Sequence, residues 1–350
     1  MKKTTAFLCQ LILLVCFLGY SQKQPYLFKN FTAEDGLSQH DINCITQDNE
    51  GFLWFGTNDG LNKFDGYNFD VFKPISGNDT TLSGRIVQDI KKDSFGNLWI
   101  ATLDGGLSLY NSKTERFKSF NSVTSKMGNY ANRIIISEDG VLWVQFKSKI
   151  CYAVLSEDVD EMKFFLLINE NKPKNEVNVK RIYVKNDAVF YESSQGTFEI
   201  KYTKAELHLQ NMSFQLQNDS YFVTQLEGAR DSKWVLNNDN ISYYFNDLKT
   251  AISATVTDEA ATIDNEGRLW CLIDDRLSSV VYKEDMLHIE TVDFEALDFL
   301  TLKNNSVKSV FLDKTGNLWV GTNGGGIYKK TNNTFGFGHY NKDSSPNSLG

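Results

Sequence analysis

Asp93-Ser94-Phe95-Gly96-Asn97-Leu98-Trp99-Ile100-Ala101-Thr102 decides the fold, because the chain repeats it. Asp48-Asn49-Glu50-Gly51-Phe52-Leu53-Trp54-Phe55-Gly56-Thr57 and Asp313-Lys314-Thr315-Gly316-Asn317-Leu318-Trp319-Val320-Gly321-Thr322 carry the same phrase. All six tryptophans sit in versions of it. Trp54 to Trp99 is 99 − 54 = 45 residues, Trp99 to Trp143 is 44, Trp234 to Trp270 is 36, and Trp270 to Trp319 is 49. The gap from Trp143 to Trp234 is 91, two repeats, and Asn186-Asp187-Ala188-Val189-Phe190-Tyr191-Glu192 supplies a degraded copy with Phe190 in the Trp slot. Seven copies result, centred on residues 54, 99, 143, 190, 234, 270 and 319. A period of this size marks a repeat architecture.

Each copy reads as four short strands. Ile42 to Gln47 is apolar-rich, Asp48 to Gly51 turns, and Phe52 to Thr57 is a second strand. Asn58-Asp59-Gly60 is a hairpin signal, Leu61 to Phe64 a third strand, Asp65-Gly66 a turn, and Tyr67 to Phe72 a fourth. Asp bonds its own backbone in such turns, and Gly supplies the positive φ. Four strands in ~40–50 residues is one blade of a β-propeller. A lone blade cannot bury both faces, so neighbours must cover each other and the Trp belongs between blades. The expected fold is all-β, a seven-bladed β-propeller of four-stranded antiparallel blades over residues 22–340. Small residues two after the Trp (Gly56, Ala101, Gly321) fit strands crowding toward the ring axis.

Residues 1–21 read as a signal peptide: Lys2-Lys3, an apolar run from Ala6 to Leu18, and a small-residue cleavage site at Gly19-Tyr20-Ser21. No other stretch approaches the ~20 apolar residues a membrane span needs. The net charge is −8, and becomes 34 − 44 = −10 without the leader. An acidic chain of this kind argues against nucleic acid and anionic membrane surfaces as partners. Cys44, Cys151 and Cys271 remain after the leader, an odd number beside strands, and read as buried thiols. Both ends offer an outer strand for the last blade, Phe28 to Phe31 and Phe337 to Tyr340, and only one can fill it. Residues 341–350 look like the start of a further repeat or linker, so the chain is expected to be the front of a longer protein.

The phrase D-x-x-G-x-L-W-x-G-T-x-x-G-L, followed by an aromatic strand and S-L-S, resembles the two-component regulator propeller repeat. The copies at Trp54, Trp99 and Trp319 match nearly residue for residue, those at Trp143 and Trp270 in part, and the resemblance runs over about residues 26–349. The resemblance implies the exported sensor half of a bacterial hybrid two-component histidine kinase or related regulator. In such proteins propellers precede a β-sandwich domain, a membrane helix and cytoplasmic signalling modules. It further implies a periplasmic oligosaccharide ligand, a homodimeric parent held in the inner membrane, and any kinase activity outside these residues.

No enzyme motif appears. His40, His208, His288 and His339 lack the spacing of a metal site, and the Asp-x-x-Gly turns lack the ligand pattern of a calcium loop. No cofactor, metal or catalytic residue is expected in this chain. Loops preceding each inner strand and loops joining second to third strands emerge on one face, and function commonly resides on such loops. That face is expected to carry His40, Asp41, Asn58, Asp59, Arg85, Asp104, Asn132, Arg133, Asn305 and Asn323. Their chemistry suits sugar hydroxyls and carboxylates, although Asn and Asp also serve the turns themselves. Arg85 and Arg133 stand out because a turn gives no reason for Arg. Two other readings remain beside the sensor: a protein–protein scaffold, and a propeller glycosidase or lyase using a pair of its 44 acids.

Overall fold

The computed structural model describes residues 28–331, apart from 122–127, 168–178, 204–206, 208–212, 218–223, 229–231, 293–305 and positions 186, 238 and 247. The expected leader, the segment Phe337 to Tyr340 and residues 341–350 lie outside the described residues. The described strands form seven sheets of four, every pairing antiparallel. In the first blade Ile42–Gln47, Leu53–Thr57, Gly60–Phe64 and Phe69–Phe72 follow in chain order from the inside outward. The second strands of the seven sheets are Leu53–Thr57, Leu98–Thr102, Val141–Phe146, Ala188–Ser193, Lys233–Asn237, Leu269–Ile273 and Leu318–Thr322. They contain all seven repeat centres, including the two blades that the sequence shows mainly by spacing.

The repeated Asp has two tasks. In each strand-joining turn its position donates its amide to the carbonyl four residues on: Asp48 to Phe52, Asp93 to Asn97, Asp264 to Arg268 and Asp313 to Asn317. Its carboxylate also accepts the indole N–H of the blade's own Trp, at 2.7 Å for Asp48–Trp54, 3.0 Å for Asp93–Trp99, 2.8 Å for Asp264–Trp270 and 2.8 Å for Asp313–Trp319. This second bond explains why Asp stands six residues before Trp. Turn chemistry alone would accept Asn. The third and fifth blades hold Ser137 and Gly228 there, and the Trp234 indole has no acceptor among the described residues.

All six indoles are buried, and each faces the next blade. Trp54 packs with Val87, Ile90 and Ile100 of the second blade, and Trp99 with Ile134 and Val144 of the third. Phe190 occupies the Trp slot of the fourth blade, opposite Tyr183 on the inner strand, with the rings stacked 5.5 Å apart. The small residues are packed tight: a Cβ on Gly56 would lie 2.4 Å from the Cys44 sulfur, and one on Gly321 2.6 Å from an Ile42 methyl. The threonines that follow bind their own hairpins, Thr57 to the Gly60 carbonyl at 2.9 Å and Thr322 to that of Gly326 at 2.9 Å.

Phe28–Phe31 closes the ring. It is the outer strand of the last sheet, antiparallel to Ile327–Lys330, with Phe31 opposite Ile327. The first residues of the described chain thereby complete the last blade. At the seam the Phe31 ring lies 5.9 Å from Trp319 and 5.3 Å from Phe64.

Candidate functional site

The loop face expected to bind ligand is largely fastened to itself. Asp104 accepts the amides of Arg85 at 3.0 Å and Ile86 at 3.1 Å, fixing the segment before the second inner strand. Arg85 reaches Asp59 at 3.1 Å, joining the first blade's hairpin to the second blade. Lys73 above all, with Arg85, holds the Asp59 carboxyl below the usual carboxylate range. Asn58 donates to Asp41 at 3.0 Å, and His40 accepts the Ala33 amide at 3.2 Å. The Asn323 amide bonds the Ser306 carbonyl, and Asn305 lies outside the described residues.

Asn132 and Arg133 are a correction to the loop reading. Both belong to the inner strand Ala131–Ile136, whose pairing with the second strand already begins at Ala131 opposite Phe146 and places Arg133 opposite Gln145, so they line the central channel. The channel encloses a cavity of about 700 Å³ whose walls come from the inner strands of six blades.

A shared backbone irregularity shapes its wall. The register to the second strand slips by one residue between Ile42 and Cys44, Val87 and Asp89, Ala131 and Arg133, Val179 and Arg181, and Val307 and Ser309. Each slip leaves one residue outside the ladder: Asn43, Gln88, Asn132, Lys180 and Lys308. A bulge of this kind re-aims a side chain and recurs next to functional sites. All five line the cavity.

Two of the remaining wall residues are already committed to structure. Asp89 accepts the Ile134 amide at 2.9 Å, linking the second blade to the third. Gln145 donates its amide nitrogen to the carbonyls of Lys147 and Lys180, each at 3.1 Å. Those carbonyls fix which way the amide faces, and its oxygen, on a side chain only 2% exposed, has no partner among the described residues. Tyr130, 47% exposed, stands at the rim. Asp89 is the single carboxylate in the described lining, so the cavity does not present the carboxylate pair that glycoside cleavage uses. Among the described residues no group of three or more His, Cys, Asp or Glu is placed to hold a metal.

Seven four-stranded sheets around a polar channel define a seven-bladed β-propeller. Residues 36–59, 81–104 and 301–324 match the two component regulator propeller family, and the chain carries that repeat. A 75-residue stretch is 44% identical to Histidine kinase P4 of Formosa agariphila, covering 21% of this chain and 6% of that protein. The extracellular domain assigned to a hybrid two component system of B. thetaiotaomicron superposes with a TM-score of 0.65 at 21% identity, over 88% of this chain and 42% of that one. A one component system of the same organism gives 0.61 at 19% identity, over 88% and 40%. A streptogramin B lyase gives 0.56 at 14% identity, over 88% and 99%. At these identities the likeness is one of fold, and a fold shared with a lyase does not itself decide between sensing and catalysis. The chain spans 42% and 40% of the two bacterial extracellular domains.

Proposed function

We propose that this chain is the ligand-sensing propeller of an exported two-component signalling protein. It detects a glycan fragment in the periplasm and passes the signal, through a homodimeric parent anchored in the inner membrane, to a cytoplasmic kinase or regulator. The chain itself is non-catalytic. The observation that carries this reading is the regulator propeller repeat in three blades, built around a channel lined by side chains the ladders do not use. A ligand signals only by binding one arrangement of the parent better than another. The propeller therefore needs a site that is rigid in itself and open to solutes.

The test is isothermal titration calorimetry of residues 22–350 against a panel of neutral and acidic oligosaccharides. Saturable binding of one class, without turnover, supports the reading. If no glycan binds and the propeller instead copurifies with an envelope protein, the scaffold reading replaces it. Release of shortened glycan would establish an enzyme.

A further inference from the structure

The channel is basic in an acidic protein. The chain carries a formal net charge of −8. Its seven inner strands nevertheless hold seven cations (Lys91, Lys92, Arg133, Lys180, Arg181, Lys185, Lys308) and four acids (Asp89, Glu227, Asp258, Glu259), 7 − 4 = +3. Among the described lining residues the contrast is sharper: Lys91, Arg133, Lys180, Arg181 and Lys308 against Asp89, 5 − 1 = +4. Asp89 accepts the amides of Ile90 and Ile134 and lies 3.5 Å from Lys91, so it is shared among structural bonds. Cations gathered in a concave site raise the local concentration of anions and focus their field.

A second observation points to the rest of the ligand. The Gln145 oxygen and the Asn132 side-chain oxygen are buried acceptors without a partner among the described residues, and both residues line the cavity. Buried acceptors call for donors. A simple anion such as sulfate has none to give, but a sugar hydroxyl does. Tyr130 at the rim offers an aromatic face for an apolar sugar edge. The cavity volume of about 700 Å³ falls within the size range of small-molecule sites.

From cations, buried acceptors and an aromatic rim in one cavity we infer that the channel binds an acidic oligosaccharide, a sugar bearing carboxylate or sulfate. Its charged group sits among Arg133, Lys180, Arg181 and Lys308, and its hydroxyls donate to Gln145 and Asn132. This assignment rests on the glycan-sensing reading and adds to it the charge of the ligand and the place where it binds.

Lys180 and Lys308 are exposed, so Lys180→Gln and Lys308→Gln leave the blades intact, which an unchanged melting temperature checks. Calorimetry would compare three probes: oligogalacturonate, a sulfated disaccharide, and a neutral galacto-oligosaccharide of matched length. At least one acidic probe is expected to bind, at least tenfold more weakly at 0.5 M than at 0.05 M salt. Each Lys→Gln change is expected to weaken that binding about five- to tenfold, and Gln145→Leu to weaken it without altering the salt dependence. Which acidic probe binds separates carboxylate from sulfate. Neutral probes binding as tightly, with no effect of salt or of either lysine, would overturn the acidic ligand and leave glycan sensing standing. If no probe of either kind binds, glycan sensing and this assignment fall together.

Discussion

Replacing Asp93 with Ala removes a side chain that serves four donors. One carboxylate oxygen accepts the amides of Phe95 and Asn97 at 2.9 Å each; the other accepts the Asn97 side chain at 3.2 Å and the Trp99 indole at 3.0 Å. Asp93 is 5% exposed and Trp99 fully buried, so water cannot replace the lost acceptor at the indole. A buried donor left without a partner costs about 1–3 kcal/mol, and bonds to a charged acceptor contribute about 1.5–3 kcal/mol each. These contributions share one side chain and do not add in full, which gives about 3–4 kcal/mol for Asp93→Ala, a large part of the ~5–15 kcal/mol that holds a native domain together. Gly228, at the same position in the fifth blade, shows that the ring tolerates one orphaned indole, so the variant folds but is weaker.

Urea titration followed by circular dichroism, with tryptophan emission as a second probe, measures the loss. Asp65→Ala is the reference. Asp65 also caps a hairpin, accepting the Tyr67 amide at 2.7 Å and the Asn68 amide at 2.6 Å, but it is exposed and bonds no indole. Asp93→Ala must lower the midpoint far more than Asp65→Ala does. Equal losses would mean that the repeated Asp is a turn former only, and the pairing of Asp with Trp would carry no weight in the fold.

Burial raises the Asp313 pKa, but hydrogen bonds from Trp319, Thr315 and Asn317 outweigh it and hold the carboxyl below its ordinary range. Its contribution is therefore complete above the unfolded value of about 3.9 and lost as pH falls through the lower folded one; Asp313→Asn should be less stable at pH 7 and approach wild type on the acid limb of a denaturation series. Phe31→Ala should cost about 3–5 kcal/mol, as for a large buried aromatic, because Phe31 is 5% exposed at the seam between last and first blades; a loss below 1 kcal/mol in urea titration would show that the seam does not hold the ring. Gly56→Ala forces a methyl against the Cys44 sulfur and Val87, and overpacking of this kind costs about 1–3 kcal/mol; an unchanged melting temperature would refute the close packing. Burial pushes the Cys151 and Cys271 thiols up to about 12, and burial and then Asp89 push Cys44 higher still; all three should resist Ellman's reagent at pH 8 until denaturant is added.

The scaffold was legible because a propeller repeats its structural chemistry. Trp, the Asp six residues before it, the turn Gly and the small residue after it each solve one packing problem that recurs in every blade. Phe190 could be placed on spacing alone because blade length is fixed by the same geometry. The partner of the indole was not legible, since an Asp in a turn already has a sufficient reason to be there. Nor was the channel. Loop residues such as Asp104 and Arg85 have the polarity of ligand contacts, yet the structure uses that polarity to pin one loop to the next.

Asn43 shares that duty, donating to Asn58 at 2.9 Å and to the Val87 carbonyl of the second blade at 2.8 Å; it and the four equivalent residues sit where strand alternation hides them. A bulge shifts the pairing by one, so the second residue of an inner strand leaves the ladder instead of taking its turn in the two-residue alternation. The five copies read Ile42-Asn43-Cys44-Ile45, Val87-Gln88-Asp89-Ile90, Ala131-Asn132-Arg133-Ile134, Val179-Lys180-Arg181-Ile182 and Val307-Lys308-Ser309-Val310. The flanking apolar residues recur because blades must pack. The second position is polar in all five, but changes between Asn, Gln and Lys. Packing alone would make such a position uniform, and an idle surface position would not be held at one bulge in blade after blade. Fixed geometry with varied polar chemistry is what a ring of side chains needs to fit a solute that lacks the ring's own symmetry.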